Sequence, residues 1–594
     1  MPSLPRFTLL AAPVTVLALL ACTAPGPEAD LIVENARIWT GDSTNPWAEA
    51  MAIRGERLLV VGARREARHH RTRHTRTIDA GGRLITPGFI DNHTHFNSAG
   101  ALLLGVNLLD VATAEPFTQR VREARERLPE GAWITGGDWG AYEDWQAGST
   151  GSNLATEAPE RFSPHRSLID SITAGTGVLL QRWDRTAYLA NGHALAAAGL
   201  TCTRPVAGLE CEGGEATGRV AGEALRLVRA AQPAKTFEQR LREARVALAH
   251  LNELGVTGIH DITPRDQFPV YHALKQQGEL TVRVYARSTL DKWDELTEVG
   301  IPHGFGDLWL KMGGLKGFVD GIQGNSTARF YEPQLHSGLR GSWRDSTNTA
   351  ATSGAGSGMM PPGNMERNLA GADRAGLWPQ VHAIGDEAID TLLTLYEKVM
   401  RENPMRERRF RIIHSQVVRG AHVAERYAQL GIIAEVQPYH AIDDMRWMEE
   451  RIGERSRWAY AFKTLHDAGV MLTFGSDWPG TNASWYTANP MQIIYAALTR
   501  QTLDGQPAGG WFPEERVDLE TALRAYTVNN AWAAGEEGEK GRLMAGFLAD
   551  FVILERDLFE ITPEEVKDVR ALLTVVGGRI VHDGGEIAGT GPDS

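Results

Sequence analysis

The chain has 594 residues, 42% hydrophobic and 23% charged, a globular composition long enough for one large domain and a smaller companion. A formal charge of −13 over that length argues against a nucleic-acid partner. The one basic stretch, Arg64 to Arg76 with His69, His70 and His74 interleaved, reads as a solvated loop between strands.

At the N-terminus, Met1 to Arg6 carries one positive charge and Phe7 to Leu20 is apolar. That run is short for a spanning helix, which needs about 20 apolar residues, but it fits a secretory h-region. It ends in Leu19-Leu20-Ala21-Cys22, which resembles the bacterial lipoprotein cleavage box. That resemblance implies a leader over 1–22, lipidation of Cys22, a tether over 23–30, and an exported protein facing the periplasm or cell exterior, held to the membrane by lipid alone. A plain cleaved leader with an incidental cysteine is the other reading. Cys202 and Cys211 lie nine positions apart in a Pro- and Gly-containing segment that can fold back as a hairpin, and an oxidising compartment permits a disulfide between them.

Leu31 to Trp39 and Ala52 to Gly62 read as short strands, and similar segments return only near the other end, at Ala549 to Leu554 and Leu572 to Val581. Between them, helical patterns such as Gln239 to Leu254 alternate with β-rich runs such as Val256 to His260. Such alternation predicts an α/β fold with a parallel sheet, closed as a (β/α)8 TIM-like barrel at this length. The expected organisation is a small composite β-sandwich from 31–87 and 536–594, and a barrel over 88–535 with an insertion at about 110–235.

Thr86-Pro87-Gly88-Phe89-Ile90-Asp91-Asn92 leads an apolar strand into His93-Thr94-His95. Side chains alternate along a strand, so His93 and His95 point the same way, half of a divalent-metal site. HxH also arises by chance, but three further apolar runs end in a polar residue: His382, His414 and Asp477. Barrel enzymes carry their chemistry at such strand ends.

With these motifs the chain resembles the amidohydrolase superfamily, in the branch called amidohydrolase family 3, which includes N-substituted formamide deformylases. The resemblance rests on Thr86 to His95, Val381-His382-Ala383-Ile384-Gly385-Asp386 and Phe474-Gly475-Ser476-Asp477-Trp478-Pro479, supported by Leu180 to Asp184, Gly255 to Asp261 and Tyr460-Ala461-Phe462. It implies a metal-dependent hydrolase of a non-peptide, amide-type C–N bond in a small molecule, using one or two divalent ions, zinc by donor type. His93, His95 and Asp477 would hold one ion, and His382 and His414 the other. Lys316, four residues before Asp320-Gly321, would be carbamylated and bridge them, whereas Lys311 lacks that offset. A bound metal lowers the pKa of water towards ~7, and Asp477 would act as base and proton shuttle. His440 is expected at the substrate or the developing oxyanion. His260 and Asp261 would support the ligands or simply order a strand end.

Trp139, in the aromatic segment Trp133 to Trp145, is a candidate pocket wall, with core packing as the alternative. The Gly-, Ser- and Thr-rich segment 333–364 is either a lid or disordered. The competing readings are the same metal site acting on an ester, lactone or carbamate, and a ligand-binding lipoprotein without catalysis. Substrate identity and a homodimer are left open by the sequence.

Overall fold

The computed structural model describes residues 27–109, 111–128, 131–140, 162–182, 187–324, 326–344, 357–360, 364–480 and 487–589. Eight short, almost wholly buried runs form one parallel sheet: β1 (Phe89–Thr94), β2 (Val256–Ile262), β3 (Arg283–Thr289), β4 (Leu310–Phe318), β5 (Pro379–Ala383), β6 (Arg411–His414), β7 (Ile433–Val436) and β8 (Leu472–Phe474). They neighbour one another in chain order, as right-handed β-helix-β crossovers dictate. The sheet closes just beyond the strand ends. Asp477 N donates to His93 O at 2.8 Å and His95 N to Trp478 O at 2.7 Å. The architecture is therefore a (β/α)8 barrel, and its seam runs through the HxH motif and Asp477.

Helices cover the outside of this barrel. Phe237–Glu253 begins where the Thr236 side chain accepts a hydrogen bond from Gln239 N at 3.1 Å, satisfying a free N-terminal amide. Its face carrying Leu241, Ala244, Leu248 and Leu251 packs with Phe96, Ile259 and Val284. A barrel interior is ordinarily filled by branched apolar side chains. Here charged groups cross it instead: Arg287 on β3 and Arg411 on β6 are buried and both donate to the buried carboxylate of Glu435 on β7.

The two ends of the chain share a sheet. Phe551–Leu554 pairs antiparallel with Leu84–Pro87, and Ala571–Val576 and Arg579–Asp583 extend it on one side. A second sheet, from Leu31–Glu34, Ala50–Arg54, Arg57–Gly62 and Arg76–Asp79, faces it across Val33, Ile53, Ile85, Phe551 and Val575. The basic stretch is partly helical rather than a plain loop. Arg64–Arg68 forms one turn whose Glu66 carboxylate accepts from Ala63 N at 3.1 Å, with Ala67 buried and the arginines exposed.

Between β1 and β2 the chain builds a six-stranded sheet from Val106–Asn107, Ile134–Trp139, Val178–Arg182, Tyr188–Ala190, Leu209–Glu212 and Glu215–Val220. A disulfide joins Cys202 and Cys211 beside its edge hairpin. Cys22 and Trp145 lie outside the described residues, as do 345–356 and 361–363 of the 333–364 segment. The described flanks of that segment are held down: Leu335 N donates to Arg451 O at 2.7 Å, and Arg344 N to Val319 O at 2.8 Å. Among the described residues no helix is long and apolar enough to cross a membrane.

Candidate active site

Asp91, at the middle of β1, organises the seam. Its Oδ1 accepts from His93 N at 3.0 Å and Ser476 N at 2.9 Å, and its Oδ2 from Tyr526 Oη at 3.2 Å. One carboxylate thus ties the HxH backbone to the Asp477 backbone. Gly475 is required here, because a Cβ would stand 2.2 Å from Asn92 Oδ1 and 2.8 Å from His93 N. Four non-glycine residues near the rim have left-handed backbones: His414 (φ 73°), Ser415 (44°), Tyr460 (56°) and Asp477 (59°). Such conformations cost energy and persist only where surrounding bonds over-determine them.

Donor atoms converge on Asp477. His95 Nε2 lies 3.1 Å and His93 Nε2 3.4 Å from its Oδ1, and His440 Nε2 lies 3.9 Å from its Oδ2. Two sets share the aspartate, His93/His95/Asp477 and His414/His440/Asp477, each with its ligand atoms within 4.8 Å of one another. His414 reaches across the rim, its ring 5.3 Å from His93, 4.6 Å from His382 and 6.0 Å from His440. The His93 Nε2 atom is buried without a hydrogen-bond partner. A buried lone pair left unsatisfied is costly, so this nitrogen, beside a carboxylate and a second imidazole, fits a divalent cation of the kind bound by nitrogen and oxygen donors.

The electrostatics agree with that fit. Burial drives His93 and His414 well below the usual histidine range, with Lys316 and neighbouring imidazoles adding to it. Burial alone would raise Asp477, yet His93, His95 and His414 hold its carboxyl far below the ordinary value. His440 falls to about 4 through burial, opposed by Asp477. Lys316, near the end of β4 and 1% exposed, is brought down to about 7 by burial against the opposing pull of Asp477 and Glu435. Its ammonium sits 4.9 Å from the centroid of the Phe318 ring.

Beneath the donors lies a charged layer. His93 Nδ1 is 2.9 Å from Glu435 Oε1, and Arg287 and Arg411 grip that carboxylate from either side. His414 Nδ1 is 2.8 Å from Gln437 Oε1. Asp320 accepts from Arg329 N, Ile384 N and Gly385 N, locking the turn after β4 to the turn after β5.

Comparison with known proteins decides the lineage. A profile described as amidohydrolase family matches residues 76–582. The chain belongs to the amidohydrolase family. It is 33% identical over 585 residues to Protein LONG AFTER FAR-RED 3 of Arabidopsis thaliana, covering 95% of this chain and 94% of that one. It is 25% identical over 577 residues to the N-substituted formamide deformylase of Arthrobacter pascens, covering 93% and 98%. A crystal structure of an uncharacterized metal-dependent hydrolase from Pyrococcus furiosus superimposes with a TM-score of 0.68 at 26% identity, covering 89% of this chain and 99% of that one. The protein is thus a metal-dependent hydrolase of the amidohydrolase family.

Within this amidohydrolase the residues singled out from sequence have distinct fates. His93, His95, His414, His440 and Asp477 come together. His382 faces the same rim, but its Nε2 lies 2.8 Å from Gly321 O and 3.4 Å from Asp320 Oδ1, and the second donor set contains His440 instead. Lys311 pairs with Glu536 at 2.8 Å, which leaves Lys316 as the lysine of the site. Asp261 accepts from Phe96 N at 2.9 Å and Tyr271 Oη at 2.9 Å, holding the helix Phe96–Leu104 that starts at His95. His260 receives Arg411 Nη1 at 3.0 Å. Trp139 is buried in the insertion's apolar cluster against Phe117, where it lines a cavity of about 250 Å³ with Phe162, Arg182 and Arg219. Sequence reasoning missed Glu435, Arg287, Asp320 and Gln437. A charged residue inside an otherwise apolar strand, as in Ile433-Ala434-Glu435-Val436, was the available signal.

Proposed function

We propose that this hydrolase cleaves the amide-type C–N bond of a small, non-peptide molecule, with zinc held by His93, His95 and Asp477. The observation that carries the reading is the sharing of Asp477 between two donor sets, one oxygen towards each. Bound there, a divalent ion supplies a water acidified towards ~7 and a polarised carbonyl. Asp477, kept ionised by the imidazoles around it, takes the proton released by the attacking water and delivers it to the departing nitrogen. His440, neutral at pH 7, meets the substrate carbonyl as an N–H donor. The deformylase of Arthrobacter pascens, an amide hydrolase by name, supports the bond class.

His414 and Lys316 would complete a second position. An amine near pH 7 is substantially neutral, the form that adds to carbon dioxide with loss of a proton to give a carbamate. His382 joins only if its bond to the Gly321 carbonyl gives way. We also propose that Cys22 is lipidated and the enzyme exported, a reading supported by the Cys202–Cys211 disulfide, since such bonds persist in oxidising compartments.

The test is hydrolysis of N-substituted formamides, acylated amino acids and matched esters by zinc-loaded protein. Turnover of the amides supports the proposal, and turnover of esters alone refutes it. His440→Asn separates its two possible duties: loss of kcat with zinc content kept marks substrate contact, and loss of zinc marks a ligand.

A further inference from the structure

The carboxylate of Glu435 on β7 has four ordinary acceptor positions, and all four are occupied. On Oε1 they are His93 Nδ1 at 2.9 Å and Arg287 Nη1 at 2.8 Å. On Oε2 they are Arg287 Nη2 at 2.8 Å and Arg411 Nη1 at 2.9 Å. Glu435, Arg287 and Arg411 are buried to within about 1% of full enclosure. A guanidinium can only donate, so three of the four positions face groups that cannot receive a proton. The fourth faces His93.

We propose that Glu435, clamped by Arg287 and Arg411, is a positioning residue that fixes His93 in the tautomer protonated at Nδ1. A carboxylate whose other positions are filled by donors can only accept from the imidazole, so Nδ1 carries the hydrogen and Nε2 keeps its lone pair. That Nε2 is the buried, unpartnered atom 3.4 Å from Asp477 Oδ1. Ring orientation is fixed as well as tautomer, because Arg287 Nη2 also donates to Asn92 O at 2.6 Å and so links the carboxylate to the strand bearing His93. Arg411 is pinned in turn by Nη2 on Ala533 O at 2.6 Å. The clamp draws on β3, β6 and β7 to set one atom on β1, and it explains why charges replace branched apolar residues in the barrel interior. The inference rests on the ligand role proposed above for His93.

Full-length, chelator-treated protein labelled with 15N-histidine tests it at pH 8, with the His93 signals identified by their loss in His93→Asn. Wild type is expected to show the Nδ1–H pattern. Glu435→Gln is expected to gain an Nε2–H population and to bind zinc about 10–100-fold more weakly in chelator competition. An Nε2–H tautomer in wild type overturns the proposal, as does a Glu435→Gln protein with tautomer and zinc affinity unchanged. Removing a buried charge that two arginines share can prevent folding, in which case the wild-type spectrum decides alone. Failure of the ligand reading appears separately, as unchanged zinc affinity in His93→Asn.

Discussion

Two halves of one barrel rim are built differently. On the β1/β8 side the Nε2 atoms of His93 and His95 already lie 3.4 and 3.1 Å from Asp477 Oδ1. Asp91 beneath the backbone and Glu435 beneath the first imidazole hold them there. On the β4/β5/β6 side the counterparts are less committed: His382 is turned to a backbone carbonyl, and Lys316 is a buried amine brought down to about 7. The first half is preorganised by the chain alone, whereas under the proposal above the second half needs carbamylation of Lys316 to complete it. Preorganisation of this kind is what makes donors effective, since no reorganisation is required when the group arrives.

The largest effect should come from the residue both halves share. Asp477→Asn is nearly isosteric and is expected to lower kcat about 10²–10⁴-fold, with the thermal transition changed little and zinc content checked in both proteins. Lys316→Ala should lose most activity and recover part of it with formate or acetate, whose carboxylate fills the vacated place. Absence of any rescue at high concentration would mean that the lysine is not replaced by a carboxylate-like group. Next comes the contrast between the halves. His95→Asn should weaken zinc binding by on the order of 10²-fold and His382→Asn by roughly tenfold or less, measured by chelator competition; the reverse order would break the comparison.

The smallest effect concerns the helix that carries His440. Asp444 on Pro438–Ile452, one turn beyond His440, is raised to about 7 by burial, against hydrogen bonds from Tyr460 and Gln416. A carboxyl whose folded pKa lies above its unfolded one binds more protons when folded. Stability therefore falls as pH rises from ~4 to ~7 and is flat above that. Asp444→Asn should flatten this slope and gain up to about 4 kcal/mol over wild type at pH 8, with no gain at pH 4. Paired denaturation curves at the two pH values check it.

How far the sequence carried depends on whether a residue acts from a strand end. His93, His95, His414 and Asp477 close apolar runs, and the barrel topology followed from the alternation around them. Glu435 and Arg287 left only a faint signal, a charge inside a run that otherwise reads as core, and nothing local pairs them across the 148 positions between them. His440 stood out by resemblance, but nothing in its spacing said that it rather than His382 would share a donor set with Asp477. Trp139 fits both alternatives its aromatic segment left open, since it packs in the apolar cluster of the insertion and lines a cavity there. The helical turn at Arg64–Arg68 was hidden by its charge density, which solvates the outer face while Ala67 alone faces inward.

The most direct test is a crystal structure of the zinc-soaked protein with anomalous data at the zinc edge. The account predicts an ion about 2.0–2.2 Å from His93 Nε2, His95 Nε2 and an Asp477 oxygen, with His93 Nδ1 still on Glu435. An ion bound elsewhere, with these three side chains as they are here, would contradict it.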